Sequence, residues 1–301
     1  MYTEIARNKR NSYVLIFFFL LLIIGFCWVF SLAFNNQLIL YLGVGFSLIY
    51  AGISYFTSSS MVLAISRARP IEKKDNLVLY RTVENLAITA GLPTPKIYII
   101  QDTAPNAFAT GRDPQHAVVC VTSGLLEMMT KPELEGVLAH ELSHVGNYDI
   151  RFMTLVVVMV GVIVLLSDWF IRISFFSDDS DSGGGNLQTI MMVVGLVLAI
   201  LAPFIGLLMQ LAFGRKREYL ADSSAVLLTR YPEGLASALE KIDSDTKPLR
   251  EANRATANLY IISPLRANIK GGSKSRFASL FSTHPPTAER IKRLRKMETH
   301  A

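Results

Sequence analysis

The sequence predicts a mainly α-helical membrane protein, with four transmembrane helices in two hairpins and a cytoplasmic α+β domain built on a small sheet. Three observations point there. Of the 301 residues, 51% are hydrophobic and 18% charged, more apolar than the roughly 45–50% of soluble domains, and mean hydropathy is +0.35. The excess is concentrated in four runs, residues 13–34, 38–65, 152–170 and 187–213. The polar stretches between and after them, 67–151 and 214–301, are each too short to bury a comfortable core alone, so they are expected to pack as one domain.

Residues 13–34 and 38–65 carry no charge and reach the roughly 20 residues that a bilayer-crossing helix needs. Asn35-Asn36-Gln37 joins them into a hairpin. The first run is too long for a secretory-signal core and lacks a small-x-small cleavage site. In the second pair, the uncharged stretch from 152 stops at Asp168, which with Trp169 is placed at the far interface, Arg172 snorkelling outward. Pro203 is expected to kink the fourth span, with Gln210 solvated near its end. Arg7, Lys9, Arg10, Arg67, Arg69, Lys73, Lys74, Arg215, Lys216 and Arg217 fall on one side, whereas Asn35-Asn36-Gln37 and the loop 177–186 have no basic residue. By the positive-inside rule both termini and both polar segments are cytoplasmic.

The expected organisation is therefore an N-terminal tail and first hairpin (1–66), a first cytoplasmic part (67–151), a second hairpin (152–213) and a second cytoplasmic part (214–301). The formal charge of +6 sits beside apolar runs without any nucleic-acid-binding motif, so a lipid bilayer is the expected partner and nucleic acid is not. Two cysteines, Cys27 and Cys120, exclude a disulfide framework. In the first cytoplasmic part, 71–90 reads as an amphipathic helix closed by Gly91. Lys96–Ile100 and 117–122 read as strands, with 106–111 between them as an edge strand. A helix begins near Lys131, with Pro132 in its first turn and Glu133 and Glu135 at its positive end. In the second part, Arg215–Thr229, 232–242 and 286–297 read as helices and 251–276 as loop.

His140-Glu141-Leu142-Ser143-His144 lies on the helix from Lys131. Residues i and i+4 share a helix face, so both imidazoles can point at one cation while Glu141 reaches the water beside it. This is the zincin arrangement; the bland alternative is two surface histidines. The extended metzincin motif fails, because Asn147 and Ile150 stand where it needs glycine and histidine. A zinc site then needs an acidic third ligand. His144 lies about 8 residues before the third span and Glu218 about 5 after the fourth, roughly 12 and 7 Å from the membrane at 1.5 Å per helical residue. The hairpin brings the two helices together, which nominates Glu218; the alternative is an ion pair with Arg215. Asp222, one turn on, can accept the spare N–H of a ligand histidine, and Asp149 is either a helix-end residue or another such orienter.

The chain resembles the HtpX-type membrane zinc metalloproteases, relatives of the CAAX prenyl endopeptidases and, more distantly, of thermolysin-like gluzincins. The resemblance rests on the span layout, on His140-Glu141-x-x-His144 and on Arg217-Glu218-Tyr219-Leu220-Ala221-Asp222. It extends to Pro105-Asn106-Ala107-Phe108-Ala109-x-Gly111 and to Ser282-Thr283-His284-Pro285-Pro286 with Arg290. It implies one zinc ion per chain on His140, His144 and Glu218, with Glu141 as general base. It also implies an edge strand at Asn106, Ala107, Phe108, Ala109 and Gly111 that pairs with the substrate backbone. His284 is expected to stabilise an oxyanion and Arg290 to orient it or anchor substrate; the alternatives are a turn histidine and a helix-surface charge. The expected activity is hydrolysis of peptide bonds in misfolded or unassembled membrane proteins at a bacterial inner membrane, a stress-linked quality-control role. Prenyl-peptide processing and a catalytically silent membrane scaffold are the competing readings.

Overall fold

A computed structural model describes residues 2–33, 36–156, 158, 159, 214–245, 247, 249, 256, 259–262 and 285–298. Most of the second expected hairpin, the loop 177–186, and His284 lie outside the described residues.

The uncharged run from Leu38 gives one helix, α2 (Leu38–Ile65), bent by 50° between Leu40–Tyr50 and Gly52–Ile65. It packs along α1 (Tyr2–Ala33), and Gly43 of α2 leaves the space that the Cys27 side chain fills. Among the described residues, one unbent helix is long and apolar enough to cross a membrane, over Ile5–Gly25. α1 runs unbroken from Tyr2 through the residues that precede 13, and Asn8 and Ser12 are buried there.

Directly after α2 comes β1 (Arg69–Pro70), then α3 (Leu77–Ala90), β2 (Lys96–Ile100), β3 (Ala107–Thr110) and β4 (Val118–Thr122). The helix expected over 71–90 starts six residues later, because Asn76 caps it by accepting from the Leu79 N–H at 3.0 Å. Gly91, in the left-handed region at φ 66°, ends it as expected. The sheet runs β1-β2-β4-β3, with β2 and β4 parallel and the outer pairings antiparallel. β3 is therefore a terminal strand.

A short α4 (Ser123–Met128) leads into α5 (Lys131–Gly146). α5 is the hub, buried from Glu133 to Val145 except at Glu135. It contacts α3, β3, β4, α7 (Arg215–Thr229) and α8 (Pro232–Ser244). Helical structure resumes at 149–156 as α6, and α9 (Thr287–Glu298) packs on α7 and α8. Gly136 permits the close crossing of α5 and α8, since a Cβ there would lie 2.6 Å from the Leu235 nitrogen.

Glu133 anchors the start of α5. Its carboxylate accepts from the Thr130 N–H and hydroxyl, both at 2.8 Å, from Ser237 at 2.6 Å and from the Lys241 ammonium at 2.7 Å. Burial alone would raise its pKa, but the Lys241, Ser237 and Thr130 donors overcome this and bring it down to about 2. A depressed carboxyl pKa stabilises the fold fully above the unfolded value near 4.5 and loses that contribution as pH falls towards 2. Lys241 is 39% exposed, so solvent screening reduces the contribution to about 1–2 kcal/mol. Glu133→Gln should lower the thermal unfolding midpoint of the detergent-solubilised protein at pH 7, with the gap to the unaltered protein narrowing below about pH 4.5. A gap that stays constant down to pH 3 would remove Glu133 as its source.

Candidate metal centre

The helical spacing that places His140 and His144 on one face of α5 also points that face at the first turn of α7. The Nε2 atoms of the two imidazoles lie 3.3 Å apart. Each approaches the Glu218 carboxylate, His140 Nε2 at 3.7 Å from Oε2 and His144 Nε2 at 3.6 Å from Oε1. All three residues are buried. They are the group of metal-ligating side chains found among the described residues, with one ligand atom from each within 4.8 Å of the others. Ligands held tetrahedrally at 2.0–2.1 Å from a zinc ion are separated by about 3.3 Å, so the donor set fits a metal with little adjustment.

The remaining ring nitrogens explain why the Nε2 atoms converge. His140 Nδ1 donates to Asp222 Oδ1 at 3.0 Å and His144 Nδ1 to Asp149 Oδ2 at 3.1 Å. A carboxylate at Nδ1 keeps the proton there and leaves the Nε2 lone pair free to ligate. Asp222 reaches its position one helical turn beyond Glu218. Asp149 reaches its own because Tyr148, in the left-handed region at φ 60°, turns the chain between α5 and α6.

Arg290 is no surface charge: it is 1% exposed. Its guanidinium donates to both oxygens of Asp222, at 3.0 and 2.7 Å, and to the Ile261 carbonyl at 3.1 Å, and lies 3.2 Å from Glu218 Oε2. Glu218 thus faces the imidazoles and Arg290, while Arg215 is exposed. Arg217, read from sequence as a membrane-flanking charge and as part of the motif around Glu218 but given no role of its own, is buried beside Asp149 Oδ1 at 3.2 Å, its guanidinium over the Phe152 ring. Asn8 also contacts Asp149, at 2.7 Å. Nothing local in the sequence marks Asn8, one of two asparagines among basic residues, 139 positions or more from the groups its side chain contacts.

The electrostatics favour a cation. Among the described residues, the carboxylates Asp149, Glu141, Glu218 and Asp222 are buried around the imidazoles with fewer guanidiniums in contact with them, Arg217 and Arg290, a grouping that suits a cation. Burial alone would lower the His144 pKa, but the Asp149 hydrogen bond and the Glu218 charge raise it to about 9. A field that draws a proton to this ring draws a metal ion equally. Burial, with Arg290 beside it, holds His140 below the ordinary histidine value. Burial, aided by the Glu218 charge, pushes Glu141 up to about 7, although His144, Arg290 and a hydrogen bond from the Ala109 backbone oppose it. A carboxyl poised near neutrality can both take and return a proton.

The expected edge-strand residues divide. Ala109 reaches Glu141. The Ala107 carbonyl already accepts from the Ile261 N–H at 2.9 Å, Asn106 Nδ2 donates to the Ile262 carbonyl at 2.9 Å, and Phe108 packs edge-on against Tyr260. Pairing of another strand at Ala107 therefore requires Ile261 to leave. Gly111, at φ 145°, is held by close packing, since a Cβ there would lie 2.6 Å from the His116 carbonyl oxygen.

Residues 73–298 match the model of peptidase family M48. The chain belongs to this family. Proteins named as protease HtpX homologues are 46% identical over 303 residues in Dictyoglomus turgidum, covering 98% of this chain and 94% of that protein. The homologue of Tropheryma whipplei (strain Twist) is 45% identical over 304 residues, covering 99% and 98%. Ste24p of S. mikatae, known from a crystal structure, shares the fold with a TM-score of 0.52 at 21% identity; the match covers 90% of this chain and 62% of that one. Membership of M48 makes the chain a metalloprotease, a hydrolase that uses a metal and acts on peptides or proteins, and the His140–His144–Glu218 cluster can hold that metal.

Glu218→Ala should reduce bound metal by at least roughly tenfold, the scale set by loss of even an indirect ligand partner, as measured by mass spectrometry of the purified protein. Metal content equal to that of the unaltered protein would assign the third position to another carboxylate.

Proposed function

We propose that this M48 member is a multi-pass membrane zinc endopeptidase, with His140, His144 and Glu218 as ligands and Glu141 as general base. The observation that carries the reading is the convergence of two Nε2 atoms and one carboxylate, each imidazole backed by its own aspartate. Two neutral imidazoles and one carboxylate with an open fourth position are the donor set of catalytic zinc. When bound, zinc polarises the scissile carbonyl and acidifies a water.

The chain's own residues do the rest. Glu141 accepts the proton of the attacking water at its carboxylate and delivers it to the departing amine. Asp222 and Asp149 hold the imidazoles in the ligating tautomer, and Arg290 fixes Asp222 and Glu218 while lending positive charge where an oxyanion develops. The substrate backbone pairs with β3 at its Ala109–Gly111 end, giving affinity with little demand on side chains. Oxyanion stabilisation by His284, which lies outside the described residues, belongs to the same reading and rests on the sequence alone.

The membrane placement rests on the sequence runs together with the outward faces of α1 and α2. There Phe17, Phe18, Trp28, Leu42, Phe46 and Phe56 are all more than half exposed, a surface suited to lipid and costly in water. The two hairpins, four spans, cytoplasmic termini and active site, and a bacterial inner-membrane location complete the reading. Such a protease, attacking backbone rather than a particular side chain, suits the removal of misfolded or unassembled membrane proteins.

Glu141→Gln preserves shape and charge-independent packing while removing the proton acceptor. It should lower casein hydrolysis by the zinc-loaded protein about 10²–10⁴-fold with metal content unchanged. Hydrolysis within a few-fold of the unaltered protein would exclude Glu141 as the base.

A further inference from the structure

The N-terminal end of α1 reaches the metal centre. Asn8 is 1% exposed, and its Nδ2 donates to the Asn147 carbonyl at 2.8 Å and to Asp149 Oδ1 at 2.7 Å. Both amide hydrogens are thus used on the turn that joins α5 to α6. Asp149 in turn receives His144 Nδ1 on its other oxygen, at 3.1 Å. The seating is reinforced around it: the Ser12 hydroxyl donates to the Asn8 carbonyl at 2.9 Å, the Lys9 ammonium lies 4.2 Å over the Tyr148 ring, and the Arg151 guanidinium lies over the Tyr13 ring.

The choice of an amide has a chemical reason. Asp149 already carries one cationic partner, Arg217, at 3.2 Å from Oδ1. A second cation there would drain the carboxylate's negative charge and weaken its hold on the His144 N–H. A neutral donor fixes the carboxylate plane and leaves its charge for the imidazole. Arg7, Lys9 and Arg10 stand close by in sequence, yet the amide of Asn8 is the group inserted.

We propose that Asn8, carried on the first apolar helix, is a positioning residue of the metal centre: it orients Asp149, which orients His144. The seating of α1 against residues 147–149 thereby sets how tightly His144 holds the metal. This rests on the reading of His144 as a ligand. It adds that the first membrane helix is part of the active-site scaffold as well as an anchor.

The test is a double-mutant cycle on the full-length protein in detergent. Zinc affinity is read by competition with a chromophoric chelator, and site geometry by the d–d absorption of the Co²⁺-substituted protein. Asn8→Ala should weaken zinc binding about tenfold, the lower end of the range for hydrogen-bond partners around a ligand, and shift the Co²⁺ bands. In an Asp149→Asn background the same change should alter affinity less than twofold, because the route runs through that carboxylate. Asn8→Ser, which keeps one donor, should recover part of the affinity, and it carries the comparison if Asn8→Ala does not fold. Affinity and spectrum unchanged in Asn8→Ala, or an equal loss in both backgrounds, would reduce Asn8 to a packing residue. His144→Ala separates the two levels: if it binds zinc as tightly as the unaltered protein, the ligand assignment itself fails, whereas loss there with no effect at Asn8 overturns only the positioning role.

Discussion

The bidentate pairing of Arg290 with Asp222, made where neither side chain reaches water, is the interaction on which the site depends. A buried guanidinium is tolerated only when its charge and donors are matched, and removing one partner of such a pair costs about 3–5 kcal/mol. Here the match spans three elements: Arg290 from α9, Asp222 and Glu218 from α7, and His140 from α5. The same contact that neutralises Arg290 aligns Asp222 with His140 Nδ1. Fold stability and ligand geometry are therefore one requirement at this point, and neither helix can shift without exposing an unbalanced charge.

Around that pair the polar groups form two arms. One runs from Arg290 through Asp222 to His140; the other runs from Asn8 and Arg217 through Asp149 to His144. Glu218 closes the space between the two Nε2 atoms. The arms draw on both ends of the described chain, so a metal held there would be linked to the packing of α1 and α9 as well as to the helix that bears the ligands. Because α5 is almost wholly buried, with Gly136 allowing α8 to cross it closely, its histidines sit on a rigid element, which suits a site needing fixed donor geometry.

What could be read from the sequence follows the range of each interaction. His140, Glu141 and His144 are legible because i,i+4 spacing is a local property of one helix. Glu218 and Asp222 are legible because the two apolar runs between His144 and Glu218 are expected to turn back on each other, and α5 and α7 do pack together. The 71–90 reading starts α3 six residues too early because it takes Ile71 as the first apolar position; residues 72–76 are wholly polar, and the Asn76 capping bond starts the helix after them. β1 is two residues long and α4 six, too short for any period to register. The roles of Asn8 and Arg217 are illegible for a different reason: each stands in a basic stretch with nothing local to set it apart, and its contact with Asp149 exists only through a partner far along the chain. Within the 106–111 segment expected as an edge strand, β3 (Ala107–Thr110) is terminal in the sheet, yet its contact with Ile261 is invisible in sequence, since nothing in either stretch announces the other.

The position of the metal decides the account. Anomalous diffraction at the zinc edge, from crystals of the full-length protein grown with zinc, should show one strong peak at about 2.0–2.2 Å from His140 Nε2, His144 Nε2 and a Glu218 carboxylate oxygen. A peak bonded to the two histidines but to a carboxylate other than Glu218, or no peak between α5 and α7, would contradict it.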